Sequence, residues 1–118
     1  MSHQRYPSQA RTATFVGDDN NSVPGAASVT AYLNVTAVPG TDTVTLVLEG
    51  KDPLSGTYYT VLQAAARSTT GMDALTFGAG APVVANQSTG APVPRVYRAR
   101  VVHSAGTSFT YSLSVQEG

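Results

Sequence analysis

The chain has 118 residues, with seven basic and seven acidic side chains, a net charge of zero and only 12% charged residues. That balance excludes long-range electrostatic steering toward nucleic acid or an acidic membrane surface. Cysteine is absent, which excludes a disulfide framework, a thiol nucleophile and a zinc–thiolate site.

The length fits one domain that buries roughly two-thirds of the surface its unfolded chain exposes, enough core to fold without staples. No apolar run approaches the ~20 residues of a membrane helix. The opening Met1-Ser2-His3-Gln4-Arg5-Tyr6-Pro7 lacks the apolar core of a secretory signal. The expectation is a protein made in the cytoplasm that stays there or leaves inside a particle. Six of the seven cations are arginine, with Lys51 the exception. Arginine's planar fork suits fixed contacts better than a mobile ammonium does.

Residues 1–26 read as an extended N-terminal arm. Ser8 to Thr14 are small and polar, Asp18-Asp19-Asn20-Asn21-Ser22 is a loop signature, and Pro24-Gly25 is a breaker pair. Only Phe15 and Val16 offer apolar anchors. Removing residues 2–25 is expected to leave the remaining fold, 27–118, intact.

From Ser28 onward apolar and polar residues alternate with the period of two that gives a strand one buried and one wet face. Val29, Ala31, Leu33, Val35 and Ala37 share one face of the first strand. Val44, Leu46 and Leu48 share one face of the second, and Val38 to Asp42 read as the hairpin loop between them. Asp52-Pro53-Leu54-Ser55-Gly56 is a turn that Asp52 initiates by capping its own backbone. Tyr58 to Gln63 follow as a strand of aromatic and β-branched residues. Asp73 to Phe77 give a short strand with Leu75 and Phe77 inward. Residues 78–94 read as a loop whose prolines limit Val83 and Val84 to an edge contact. In Arg95 to His103, an inward Tyr97, Ala99 and Val101 put Arg98 and Arg100 on the outer face. The closing Ser108-Phe109-Thr110-Tyr111-Ser112-Leu113-Ser114-Val115 alternates without interruption. These elements predict an all-β domain: a single antiparallel sandwich or barrel of about six or seven strands, with turns at the spacing such folds show.

Chemistry is thin. His3 lies in the arm and His103 at a strand end, and no nucleophile-elbow sequence is present, so a serine–histidine catalytic pair is not expected. The carboxylate pairs Asp18–Asp19 and Asp52 with Asp73 lack the spacing of a calcium loop, and no metal or cofactor is expected. Gly78-Ala79-Gly80 lacks the Gly-Lys-Ser/Thr ending of a phosphate loop. Arg95, Arg98 and Arg100 are the only basic cluster, too small a footprint for nucleic acid. Asn20, Asn34 and Asn86 open glycosylation sequons, read as chance matches for want of a secretory signal.

Tyr32-Leu33-Asn34-Val35-Thr36-Ala37-Val38-Pro39-Gly40 is followed by Leu48-Glu49-Gly50-Lys51-Asp52-Pro53-Leu54-Ser55-Gly56-Thr57-Tyr58. The Gly71 turn, Pro94-Arg95-Val96-Tyr97-Arg98 and Gly106-Thr107-Ser108-Phe109-Thr110-Tyr111-Ser112 come next. In this order, over roughly residues 28–116, the chain resembles small structural proteins of tailed bacteriophages; the arm lies outside the resemblance. The resemblance implies a non-enzymatic capsid decoration protein on the virion surface. Its implied partners are the major capsid protein and further copies of itself, as a trimer, with no cofactor, nucleic acid or membrane. The residues expected to make contacts are Phe15 and Val16 in the arm, Val83 and Val84 in the loop, and Arg95, Arg98 and Arg100. Two alternatives stand beside it: a tail or head–tail connector protein, and a carbohydrate- or ligand-binding sandwich presenting Tyr32, Tyr58 and Tyr97.

Overall fold

The computed structural model describes residues 3–22, 27–79 and 81–118, with every side chain among them except that of His3. The Pro24-Gly25 pair and Gly80 lie outside the described residues. The described chain is 57% strand with no helix. Its strands are β1 (His3–Arg11), β2 (Phe15–Val16), β3 (Asn20–Asn21), β4 (Val29–Ala37) and β5 (Val44–Lys51). There follow β6 (Tyr58–Gln63), β7 (Gly71–Phe77), β8 (Ser88–Thr89), β9 (Val96–His103) and β10 (Phe109–Glu117). One sheet runs β1-β10-β4-β7-β8; the other runs β2-β9-β5-β6, with β3 also on β9.

The domain is therefore all-β, as the alternation requires, and two five-stranded sheets pack face to face. Two corrections follow. Ten strands are described rather than six or seven, and there is no barrel. The additional strands are β1, β2, β3 and β8, which are polar or two residues long and carry no hydrophobic alternation to announce them. The fold is also not wholly antiparallel, because β8 runs parallel to β7.

Val38 to Asp42 do not close a hairpin. β4 lies between β10 and β7, whereas β5 lies between β9 and β6 in the opposite sheet, so the loop arches across the sandwich. Ser104 to Thr107 arch in the same way from β9 to β10. A hairpin and an arch give each strand the same one-sided burial, so periodicity alone cannot separate them.

The core forms where the inner faces meet. Val29, Ala31, Leu33 and Val35 on β4, and Phe109, Tyr111, Leu113 and Val115 on β10, face Val44, Leu46 and Leu48 on β5 and Tyr97, Ala99 and Val101 on β9. All of these are at most 2% exposed. Ala37 leaves the pattern and is exposed. The register jumps from Tyr111↔Val35 to Thr110↔Ala37, and the extra residue of such a bulge turns the following side chain away from the core. Gly50 is required by close approach: the Tyr59 ring and Pro94 sit where its Cβ would be.

The described residues of the segment expected as an arm are extended, and they lie along the domain's own sheets. β1 pairs with β10; β2 and β3 pair with β9. Phe15 packs against the core, edge-on to Tyr6 at 5.0 Å between ring centroids. Removing residues 2–25 would thus strip three strands and uncover one flank of each sheet, so an intact remainder is no longer expected.

Candidate interface

The outer face of the β9–β5–β6 sheet carries a side-chain ladder that starts from one buried acid. Glu49 follows Val44 to Leu48 on the central strand β5, and register sets it opposite Arg98 on β9 and Thr60 on β6. It is 5% exposed. A carboxylate that dry needs charged partners. Arg98 Nε donates to Glu49 Oε1 at 2.8 Å, and Arg100 approaches Oε2 at 3.4 Å. The Arg98 guanidinium also stacks on the Tyr58 ring, 3.4 Å from its centroid. The Tyr58 hydroxyl donates to both Asp19 oxygens at 2.6 and 2.7 Å, and this bond to a carboxylate raises the phenol's pKa. Lys51 completes the chain, 3.6 Å from Asp19. Three cations face two carboxylates, so the ladder retains one positive charge.

The expected contact residues separate on this framework. Val16 lies opposite Arg100 in register, so Val16, Arg98 and Arg100 do share one face, but both arginines are committed to Glu49. Phe15 turns inward to the chain's own core. Arg95 is exposed ahead of β9. Val83 (83% exposed) and Val84 (40%) sit on the loop before β8, in the other sheet. Sequence reading missed Glu49, and it considered Asp19 only as half of a carboxylate pair and Tyr58 only as a ligand-stacking ring. The available signal was an acid within an apolar central strand, which demands a cation across the ladder.

The outer face of β10–β4–β7 has the opposite chemistry. Alternation puts Thr110, Ser112, Ser114 and Gln116 beside Thr30, Tyr32, Asn34 and Thr36, with Met72, Ala74 and Thr76 completing it. Among the described residues these three strands present no ionised side chain on that face; Arg5 of the neighbouring β1 borders it, opposite Ser114. Thr30 and Thr76 share a hydroxyl–hydroxyl bond at 3.0 Å. Met72 is 58% exposed.

The three tyrosines of the ligand-binding alternative do not form a platform. Tyr97 is fully buried, Tyr58 belongs to the ion-paired ladder, and Tyr32 lies on the opposite outer face. The carboxylates each have other work: Asp73 makes a paired contact with Arg67 at 2.8 and 2.9 Å, and Asp52 caps its own turn. Ser55 and the Leu54 amide bond to Asp52 and lower its pKa. Among the described residues no group of three or more His, Asp or Glu side chains is placed to hold a metal ion.

His103 is not simply solvated. Its Nε2 lies 2.8 Å from the Tyr111 hydroxyl and its ring packs edge-on to Phe109. Arg11 lies over the rings of Tyr111 and Phe15 at 4.6 and 4.8 Å. Burial pushes the Tyr111 phenol up to about 12. Burial, and after it the Arg11 charge, hold His103 below its ordinary value of 6.5. The unfolded chain therefore takes up a proton first as pH falls. The contribution of His103 is complete above its unfolded pKa of 6.5 and is lost as pH drops from there through the depressed folded value. Thermal unfolding at about pH 7.5 and about pH 5.5 should give a lower Tm at the acid value, and His103→Phe should flatten that difference. An acid-side loss of equal size in the variant would contradict this assignment.

No protein-family model matches the chain, and comparison with curated proteins gives no match.

Proposed function

We propose that this chain is a bacteriophage capsid decoration protein, which lays one sheet face on the head shell and strengthens contacts between major capsid subunits. The reading begins from the sequence resemblance over roughly residues 28–116. The structural observation that carries it is the uncharged outer face of β10–β4–β7. Protein–protein interface centres are depleted in charged residues and enriched in tyrosine and methionine; this face is uncharged and carries Tyr32 and Met72, among hydroxyls and amides. Many copies on a lattice that repeats one geometry need little affinity each. The ion-paired face on the far side is then left toward water.

The test is co-sedimentation of the full chain with heads assembled from the source phage's major capsid protein. The unmodified chain should pellet with the heads. Ser112→Arg places a charge at the centre of the uncharged face, where its desolvation costs a few kcal/mol and should weaken binding on the order of 30–100-fold. Leu54→Arg, on a loop tip 96% exposed, should bind as the unmodified chain does. Equal binding by all three would remove this face from the account, and no binding by any of them would remove the function.

A further inference from the structure

We propose that β1 is an exchangeable strand, able to leave its own β10 and pair with β10 of a second copy of this chain. This goes beyond the capsid reading and does not depend on it. Among the strands of six or more residues, only β1 and β6 bury no described side chain fully, and β1 is the longer of the two. In β1, Arg5, Pro7, Ser8, Gln9 and Ala10 are exposed. By contrast β4 buries Val29, Ala31, Leu33 and Val35, and β10 buries five residues, from Phe109 to Glu117. β1 is an edge, paired on one side only. Its ladder is interrupted where the register slips between Tyr6 and Gln9, around Pro7 and Ser8. Local opening is cheapest where little apolar surface is buried and the backbone bonds are exposed.

Three side chains pin the strand, and each can be satisfied equally in a second copy. Gln4 Nε2 donates to the Asp18 carbonyl at 3.1 Å. The Tyr6 hydroxyl accepts from the Asp18 amide at 2.8 Å, and its ring meets Phe15. Arg11 donates to the Tyr111 carbonyl and stacks on the Tyr111 and Phe15 rings. These partners lie on β2, the loop after it and β10, none of which belongs to β1. The hinge is Thr12-Ala13-Thr14, all exposed. Four peptide steps from Arg11 to Phe15 reach at most ~14 Å, little more than the ~10 Å between packed sheets. A hinge so short returns the strand home only by turning sharply, the condition under which exchange between copies competes with closure.

What the departure uncovers decides the occupant. β10 would become a nine-residue edge with Phe109, Tyr111, Leu113 and Val115 along its inner side. Such an edge demands a strand. The β1 of another copy restores the same seven register pairs, from His3↔Gln116 to Arg11↔Phe109, so reciprocal exchange loses no pairing. Exchange of an identical element is a low-cost route to dimers.

Arg5 and Ser114 face each other in register on the outer side, where new cysteines leave the core untouched. R5C and S114C proteins carrying different tags are mixed, incubated at rising concentration and mildly oxidised. Exchange should give roughly tenfold more mixed disulfide dimer than an L54C plus S114C mixture, because only exchange fixes a register between copies. The yield should grow with concentration and incubation time. The R5C/S114C double variant, oxidised when dilute, should close an intramolecular bond and no longer exchange. Mixed dimer at the control level would overturn the proposal. So would failure of the double variant to close, since the register it rests on would then be wrong. Neither experiment involves a capsid, so their failure is distinct from failure of the capsid reading.

Discussion

Replacing Phe77 by alanine is expected to remove about 3–5 kcal/mol of folding stability. Phe77 is fully buried on β7 and meets Tyr97 of the facing sheet edge-on, 6.2 Å between ring centroids. It is therefore one of the contacts that hold the two sheets together. The site has little freedom to collapse. Gly78, the next residue, has a φ of +156° and sits so close to Ala27 that a Cβ would fall on the Ala27 carbonyl oxygen. The chain cannot slide inward there to fill the space. A domain of this size has a total stability of about 5–15 kcal/mol, so the loss is between about a fifth and all of it. Phe77→Leu, which keeps most of the volume, should cost less than about 1.5 kcal/mol. Denaturant titration measures both. A loss below about 1 kcal/mol for Phe77→Ala, the size of an ordinary substitution, would mean that the sheets do not meet at this ring.

Glu49→Ala should cost about 3 kcal/mol. Removing one partner of a buried ion pair leaves the other charge without compensation. Here two cations are stranded at once, because Arg98 and Arg100 both use the same carboxylate. The value belongs at the lower end of the range because their side chains remain 20% and 34% exposed and can turn toward water. Tyr58 should register the change as well, since the guanidinium stacked on it loses its anchor. Urea unfolding of Glu49→Ala, Arg98→Met and the double variant closes a cycle. The double variant should be more stable than the sum of the two single losses predicts. Strict additivity would mean that Glu49 and Arg98 do not interact.

The strands with a hydrophobic face were legible. Val29 to Val35, Val44 to Leu48, Tyr97 to Val101 and Phe109 to Val115 bury the residues that a period of two assigns, because each segment has one dry side. What stayed hidden followed from physics that periodicity does not carry. β1 has no apolar face; it is a strand because β10 has an edge to be covered. β8 is two residues long and exists because Gln87 and Thr89 carbonyls accept from Thr76 and Gly78 amides. The crossing of Val38 to Asp42 between sheets depends on which strand each neighbour pairs with, a non-local choice.

The placement of the expected contact residues in the fold was legible only in part. Arg98 and Arg100 do share the outer face, as an inward Tyr97, Ala99 and Val101 require. Their partner is Glu49, which comes from a strand half the chain away. Phe15, one of two adjacent apolar residues in a polar segment, packs with Tyr6 and Arg11 of its own segment. The uncharged face of β10–β4–β7 was present in the sequence as even-numbered hydroxyls on the last strand. It becomes one surface only when β4 and β7 are laid beside that strand.

A capsid role and an exchangeable β1 bear on each other. A strand that leaves home and pairs with a neighbour would link copies without enlarging the face that the proposed role has each lay on the shell. Linked copies bind a lattice with the avidity of several sites. The two ideas remain separable, because exchange is measured on the isolated protein and decoration on the particle.

The most direct measurement is a cryo-EM reconstruction of the source particle with this chain located in the map. The account predicts density at regular positions over the outside of the head, with the β10–β4–β7 face against the shell. Density confined to the tail or the portal vertex, or a particle without the chain, would contradict it.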